Sequence, residues 1–119
     1  MNNPYLTAKG HARAYIIIQT SSSRESVDCM IDTGFSSGIA LNTRLQNRIP
    51  KQLVAAQEFE LADGSIILAN VYKIAAQFKN TELTTLGIFT NDGDNLLGIE
   101  FLKNFTFVLA LKKNMVSLE

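Results

Sequence analysis

The chain has little with which to staple itself, hold a metal or cross a membrane. Its 119 residues include one cysteine, one histidine and two prolines. The lone Cys29 excludes an internal disulfide, and a single thiol suits a reducing cytosol. His11 stands alone, and no Cys/His/Asp cluster has ligand spacing, so neither a metal site nor a cofactor is expected. Apolar runs extend over only a few residues, well short of a membrane span. Met1-Asn2-Asn3-Pro4 lacks basic residues followed by an apolar stretch, so no signal peptide is expected and the compartment is read as cytoplasmic. Lys+Arg and Asp+Glu balance at 11 each. That leaves no electrostatic footprint for nucleic acid and no basic patch for a lipid surface. Charged residues make up 18%, below the usual share of about a quarter, which fits a chain that buries extra surface in an oligomer.

What is present is β-strand pattern. The length fits a single domain over residues 1–119 with a real core. Ala14 to Thr20 is rich in β-branched and aromatic residues, Ser21 to Arg24 breaks it, and Val27 to Ile31 returns, which predicts a hairpin. Ile39 to Leu41 is a further short strand. Asn42 or Thr43 caps a brief helix with Leu45 and Ile49 on one face, ended by Pro50. Glu58 to Leu61 and Ser65 to Val71 flank Ala62-Asp63-Gly64, a hairpin signal. Alternation continues through Ile74, Ala76 and Phe78, and Leu83 to Thr90 follows the turn at Lys79 to Glu82. A loop over Asn91 to Asp94 and a short helix over Glu100 to Phe105 come next. Thr106 to Leu111 and Met115 to Leu118 close a last hairpin. The pattern is an all-β fold, mostly antiparallel, with one or two short helices.

Chemistry concentrates at Asp32-Thr33-Gly34. A carboxylate on a tight turn between two buried strands is held rigidly at a sheet end. Thr33 suits a strand margin, and Gly34 permits a turn and a close approach by another backbone. The bland alternative for Asp32 is a turn aspartate that satisfies backbone amides. Ser36 and Ser37 do not make a serine-nucleophile site, because there is one histidine and no nucleophile elbow. Cys29 reads as a small buried side chain rather than a reactive thiol.

Three segments in order carry a family resemblance: Ile31-Asp32-Thr33-Gly34-Phe35-Ser36, Leu61-Ala62-Asp63-Gly64-Ser65 and Asn91-Asp92-Gly93-Asp94-Asn95-Leu96-Leu97-Gly98. Together they resemble the retropepsin-like aspartic proteases, most closely the small single-domain type of bacteria and archaea, over the chain from about Ala14 onward. The resemblance implies a closed β barrel with a flap hairpin, working as a two-fold homodimer. Asp32 would be the catalytic acid–base, Thr33 would brace the two catalytic loops across the dimer, and Gly34 would let water and substrate approach. Ala62, Asp63 and Gly64 would form the flap over a peptide or protein substrate, Asp63 being otherwise an ordinary turn residue. Asp92 and Asp94 would border the cleft and favour basic or polar substrate side chains, unless they are solvated turn acids. Leu97 and Gly98 would pass beneath the catalytic turn in a structural role. One departure is Phe35, which stands where many relatives carry a hydroxyl residue able to hydrogen-bond the aspartate.

Two facing carboxylates split the work of hydrolysis, one activating a water and one donating a proton, because like charges at short range do not both ionise. This chain has one Asp-[Ser/Thr]-Gly, so on that resemblance the second aspartate is Asp32 of another copy. The expected function is an aspartic endopeptidase. Its rival is a dimeric peptide-binding or scaffold module that keeps the fold and hydrolyses poorly.

Overall fold

A computed structural model describes residues 2–60, 63–91 and 93–119. Ala62 and Asp92 lie outside the described residues, as does Leu61. Among the described residues there are ten strands: β1 (Tyr5–Leu6), β2 (Ala12–Gln19), β3 (Arg24–Ile31), β4 (Ile39–Asn42), β5 (Gln52–Glu60), β6 (Ile66–Phe78), β7 (Thr81–Thr90), β8 (Leu96–Leu97), β9 (Phe107–Ala110) and β10 (Met115–Leu118). One α-helical turn, α1, spans Ile99–Leu102, and 3-10 turns cover Thr43–Arg48 and Leu111–Lys113.

Eight strands form one sheet in the order β1-β2-β3-β8-β4-β7-β6-β5. A further pairing of β2 with β6, at Ile17 with Gln77 and Ile18 with Ala76, bends the sheet back on itself. The strands from β2 to β6 therefore make a ring, with β1 and β5 as outriders. Period-two patterning dictates which residues face inward. Along β2 the residues Ala12, Ala14, Ile16 and Ile18 are buried, and Val27 and Cys29 of β3 join them. Ile74, Ala76 and Phe78 close the core from β6. The aromatic rings of Phe78, Phe101 and Phe105 sit 5.4 Å apart in successive pairs and seat α1 on the ring.

β6 has two halves with different partners. Tyr72 to Phe78 pairs with β7, whereas Ile66 to Val71 pairs only with β5. The β5–β6 hairpin therefore runs past the ring as a two-stranded arm. Ile67, Ala69 and Val71 face a small cluster with Ala40, Phe59 and Ile88, while Leu68 on the opposite face is 72% exposed.

The structure moves several expected boundaries. β5 begins at Gln52, six residues before the strand expected from Glu58, because 52–58 is exposed on both faces and carries no burial alternation. The helix expected after Asn42 is a 3-10 turn, with the Asn42 side chain accepting from the Arg44 amide at 2.9 Å. The later helix is shorter than Glu100 to Phe105 and starts one residue earlier. The final hairpin turns on Asn114 in the left-handed conformation.

Candidate active site

β3 delivers Asp32 to the end of the sheet, and the chain returns along β4. Between these two strands lies β8, parallel to β3 (Met30 with Leu96, Ile31 with Leu97) and antiparallel to β4 (Ile39 with Leu97, Ala40 with Leu96). The 96–100 segment thus passes through the loop that carries Asp32. Four backbone hydrogen bonds fasten it there. The Asp32 amide donates to the Leu97 carbonyl at 2.9 Å, Gly98 to Gly38 at 2.7 Å, Ile99 to Phe35 at 2.9 Å and Glu100 to Ser37 at 3.0 Å.

Gly98 is where the crossing is tightest. A Cβ at this position would lie 2.4 Å from the Ser37 carbonyl oxygen and 2.6 Å from that of Phe35. No side chain fits between backbones that close. Leu97 is fully buried beneath the turn. At Gly98 the close approach has a direct steric cause, a backbone carbonyl oxygen of the turn on either side.

Asp32 itself is half-buried. Its Oδ1 accepts from the Gly34 amide at 2.9 Å, which fixes the carboxylate plane against the turn. Thr33 and Gly34 are exposed at the apex. Asp32 opens on a groove of about 650 Å³ whose apolar lining is Phe35, Ala40, Phe59, Ile67, Ile88 and Leu96. Among the described residues, the acidic groups on the same groove are Asp32, Glu60 and Asp94. The arm forms one wall: Phe59 of β5 and Ile67 of β6 are a cross-strand pair, and Phe35 packs against Phe59 with ring centroids 6.0 Å apart.

At the arm's tip, Asp63 Oδ1 accepts from the Ser65 amide at 2.9 Å and from the Ser65 hydroxyl at 2.6 Å. These bonds hold the Asp63 carboxyl below its ordinary range. Gly64 follows with a φ of +85°, which a residue with a side chain adopts only under strain. Asp63 and Gly64 thus build the turn.

Asp94 borders the groove, and its carboxylate is already engaged. Arg13 of β2 binds both of its oxygens, through Nη1 to Oδ2 and through Nη2 to Oδ1 at 2.9 Å. Arg13 Nε donates to Asp28 Oδ1 at 3.1 Å, and the other Asp28 oxygen accepts from Tyr5 Oη at 2.7 Å. The pair with Arg13 pulls the Asp94 carboxyl below its usual range. Burial and the bond to Asp28 push the Tyr5 phenol up to about 12. Sequence reading missed Arg13, because its partner lies 81 residues away. It also missed the apolar wall from Phe59 and Ile67, although their places in a hairpin beside Asp63-Gly64 pair them.

No protein-family model matches the sequence, and no curated protein matches it. The fold, by contrast, has solved counterparts. The crystal structure of a retropepsin-like aspartic protease from Rickettsia conorii is similar at a TM-score of 0.65 and 18% identity, covering 97% of this chain and 86% of that one. The likeness is one of fold: the chain is all-β with a retropepsin-like arrangement of strands.

Proposed function

We propose that the protein is an aspartic endopeptidase whose complete site contains Asp32 from two copies related by a two-fold axis. The observation that carries this reading is the setting of Asp32. Its turn is fastened to the strand threaded through it, and its carboxylate opens on an apolar groove walled by the β5–β6 arm. Asp32 also satisfies its turn through Oδ1, and its place on a groove within the size range of ligand pockets is what favours chemistry there.

In the complete site the two carboxylates share one proton. The ionised one takes a proton from water as the water oxygen bonds to the peptide carbonyl carbon. The protonated one gives its proton to the carbonyl oxygen. Collapse of the resulting gem-diol breaks the C–N bond, the amine leaves with a proton, and the pair recovers its shared proton. Thr33, exposed at the apex, is placed to brace the opposing turn, and Gly34 leaves the approach to Asp32 open.

The second copy has a candidate seat. Val108, Leu109, Leu111 and Met115 are exposed along the β9–β10 hairpin, a sheet separate from the main one. Val108 and Leu109 point to opposite faces of β9, so the hairpin offers apolar side chains on both faces to a second copy. The buried, unpaired Cys29 supports a reducing, cytoplasmic setting. Among the described residues no helix is long and apolar enough to cross a membrane.

The test compares wild type with Asp32→Asn on a peptide library read by mass spectrometry, with sedimentation in parallel. Wild type should cut internal peptide bonds as a dimer, and Asp32→Asn should dimerise without cutting. Added to a fixed amount of wild type, the variant should lower activity by forming mixed dimers with one competent carboxylate. Cleavage that survives Asp32→Asn, or specific activity unchanged on dilution to monomer, overturns the proposal.

A further inference from the structure

The groove beside Asp32 carries an acid whose charge is already spoken for, and the group that speaks for it is anchored outside the groove. Arg13 grips both oxygens of Asp94. The Arg13 side chain is only 17% exposed, and its Nε is fixed by Asp28, which Tyr5 holds through its other oxygen. A planar fork anchored at one nitrogen presents two parallel N–H groups in a fixed direction, a geometry that lysine lacks.

The loop next to Asp94 does not depend on that pair for its path. The Met30 amide donates to the Asn95 carbonyl at 2.8 Å. The Asn95 side chain accepts from the Asn42 amide at 3.1 Å and donates to the Asp28 carbonyl at 3.4 Å. Removing Arg13 therefore changes the charge offered at the rim more than the position of the rim.

We propose that Arg13 is a specificity-determining residue: by pairing with Asp94 it takes from the groove a free carboxylate that would otherwise accept a cationic substrate side chain. At this rim the groove then offers its apolar lining, and lysine or arginine at the position next to Asp94 gains no partner there, Glu60 being a separate acid on the same groove. Arg13 touches no reacting atom and acts through Asp94. This inference rests on the endopeptidase reading for its substrate class, while the pairing stands on the geometry alone.

The experiment digests one peptide library with wild type, Arg13→Gln, and Arg13→Gln/Asp94→Asn, and reads the residues flanking each cut. Arg13→Gln should enrich lysine and arginine at one subsite by about two- to fivefold relative to apolar residues, the scale of one exposed ion pair gained. The double variant should return to the wild-type profile. A second arm needs no catalysis: immobilised Asp32→Asn, with and without Arg13→Gln, is loaded with the same library and the retained peptides are sequenced. Retention that shifts toward cationic peptides without any cleavage by wild type would sink the endopeptidase reading and keep this one. An unchanged ratio of cationic to apolar residues in both arms overturns it. So does a uniform loss of all substrates, which would mark Arg13 as a merely structural residue.

Discussion

Replacing Gly98 by alanine tests the crossing beneath Asp32 with a single methyl group. The added Cβ would stand 2.4 Å from one carbonyl oxygen and 2.6 Å from another, roughly 1 Å short of an ordinary carbon contact. Both oxygens belong to backbone that cannot rotate away. The turn and the segment crossing it must separate, and overpacking of this kind costs about 1–3 kcal/mol. Separation also stretches the bonds from Ile99 to Phe35 and from Glu100 to Ser37, each worth about 0.5–1.5 kcal/mol net. Together the loss is about 2–6 kcal/mol, a large part of the roughly 5–15 kcal/mol that holds a domain together. In a chain of this length it lowers Tm by about 8–24 °C. Urea and thermal unfolding measure the loss. Gly93→Ala is the control: its Cβ would meet nothing within 4 Å, so only the strain of a φ of +86° remains, about 1–2 kcal/mol. A Gly98→Ala protein within 1 kcal/mol of wild type, or no worse than Gly93→Ala, would refute the crossing as a steric necessity.

Gly34→Ala should separate stability from chemistry. Its Cβ would lie 3.2 Å from Asp32 Oδ1 and near nothing else, so unfolding should shift by less than about 1 kcal/mol while peptidase activity falls about tenfold or more; equal activity would mean that the approach to Asp32 tolerates bulk. The pair with Arg13 depresses the Asp94 carboxyl in the folded state. Such a group adds stability above its unfolded pKa, near 3.9, and that contribution disappears as pH falls through the folded value. Wild type should therefore exceed Asp94→Asn in urea midpoint at pH 6, with the gap narrowing below about pH 4; a gap that widens with acid contradicts the pairing. Burial pushes the Cys29 thiol far up, so iodoacetamide at pH 8 should label native protein only as fast as it unfolds, and rapid labelling would place the thiol elsewhere.

The ring was legible where one face of a strand meets the core and the other does not. β2 shows this best, since its buried and partly exposed positions alternate from Ala12 to Ile18. The arm was half legible. Asp63-Gly64 marked its tip, but Leu53, Val54, Ala55 and Ala56 lie exposed on the outer strand, and a strand that buries neither face writes no period into its residues. β1 was missed because two residues, Tyr5 and Leu6, are too few to show a pattern. The turn at Asp32 and the segment at Gly98 were readable as motifs, and their threading gives the reason for the glycine. What joins Arg13 to Asp94 has no local signature, since ion pairs between distant strands are set only when the sheet folds.

The threading of β8 also fixes an order of events during synthesis. The strands on either side of Asp32 emerge from the ribosome early, but the amide of Asp32 has its acceptor on Leu97, about sixty-five residues later. Until that stretch appears, the turn is a loop around an empty slot, and closing it carries the entropy of a long-range contact. The carboxylate is thus made well before the segment that holds its turn in place. For a chain proposed to cut peptides, a nascent copy has no ordered Asp32 with which to attack its neighbours on the same message.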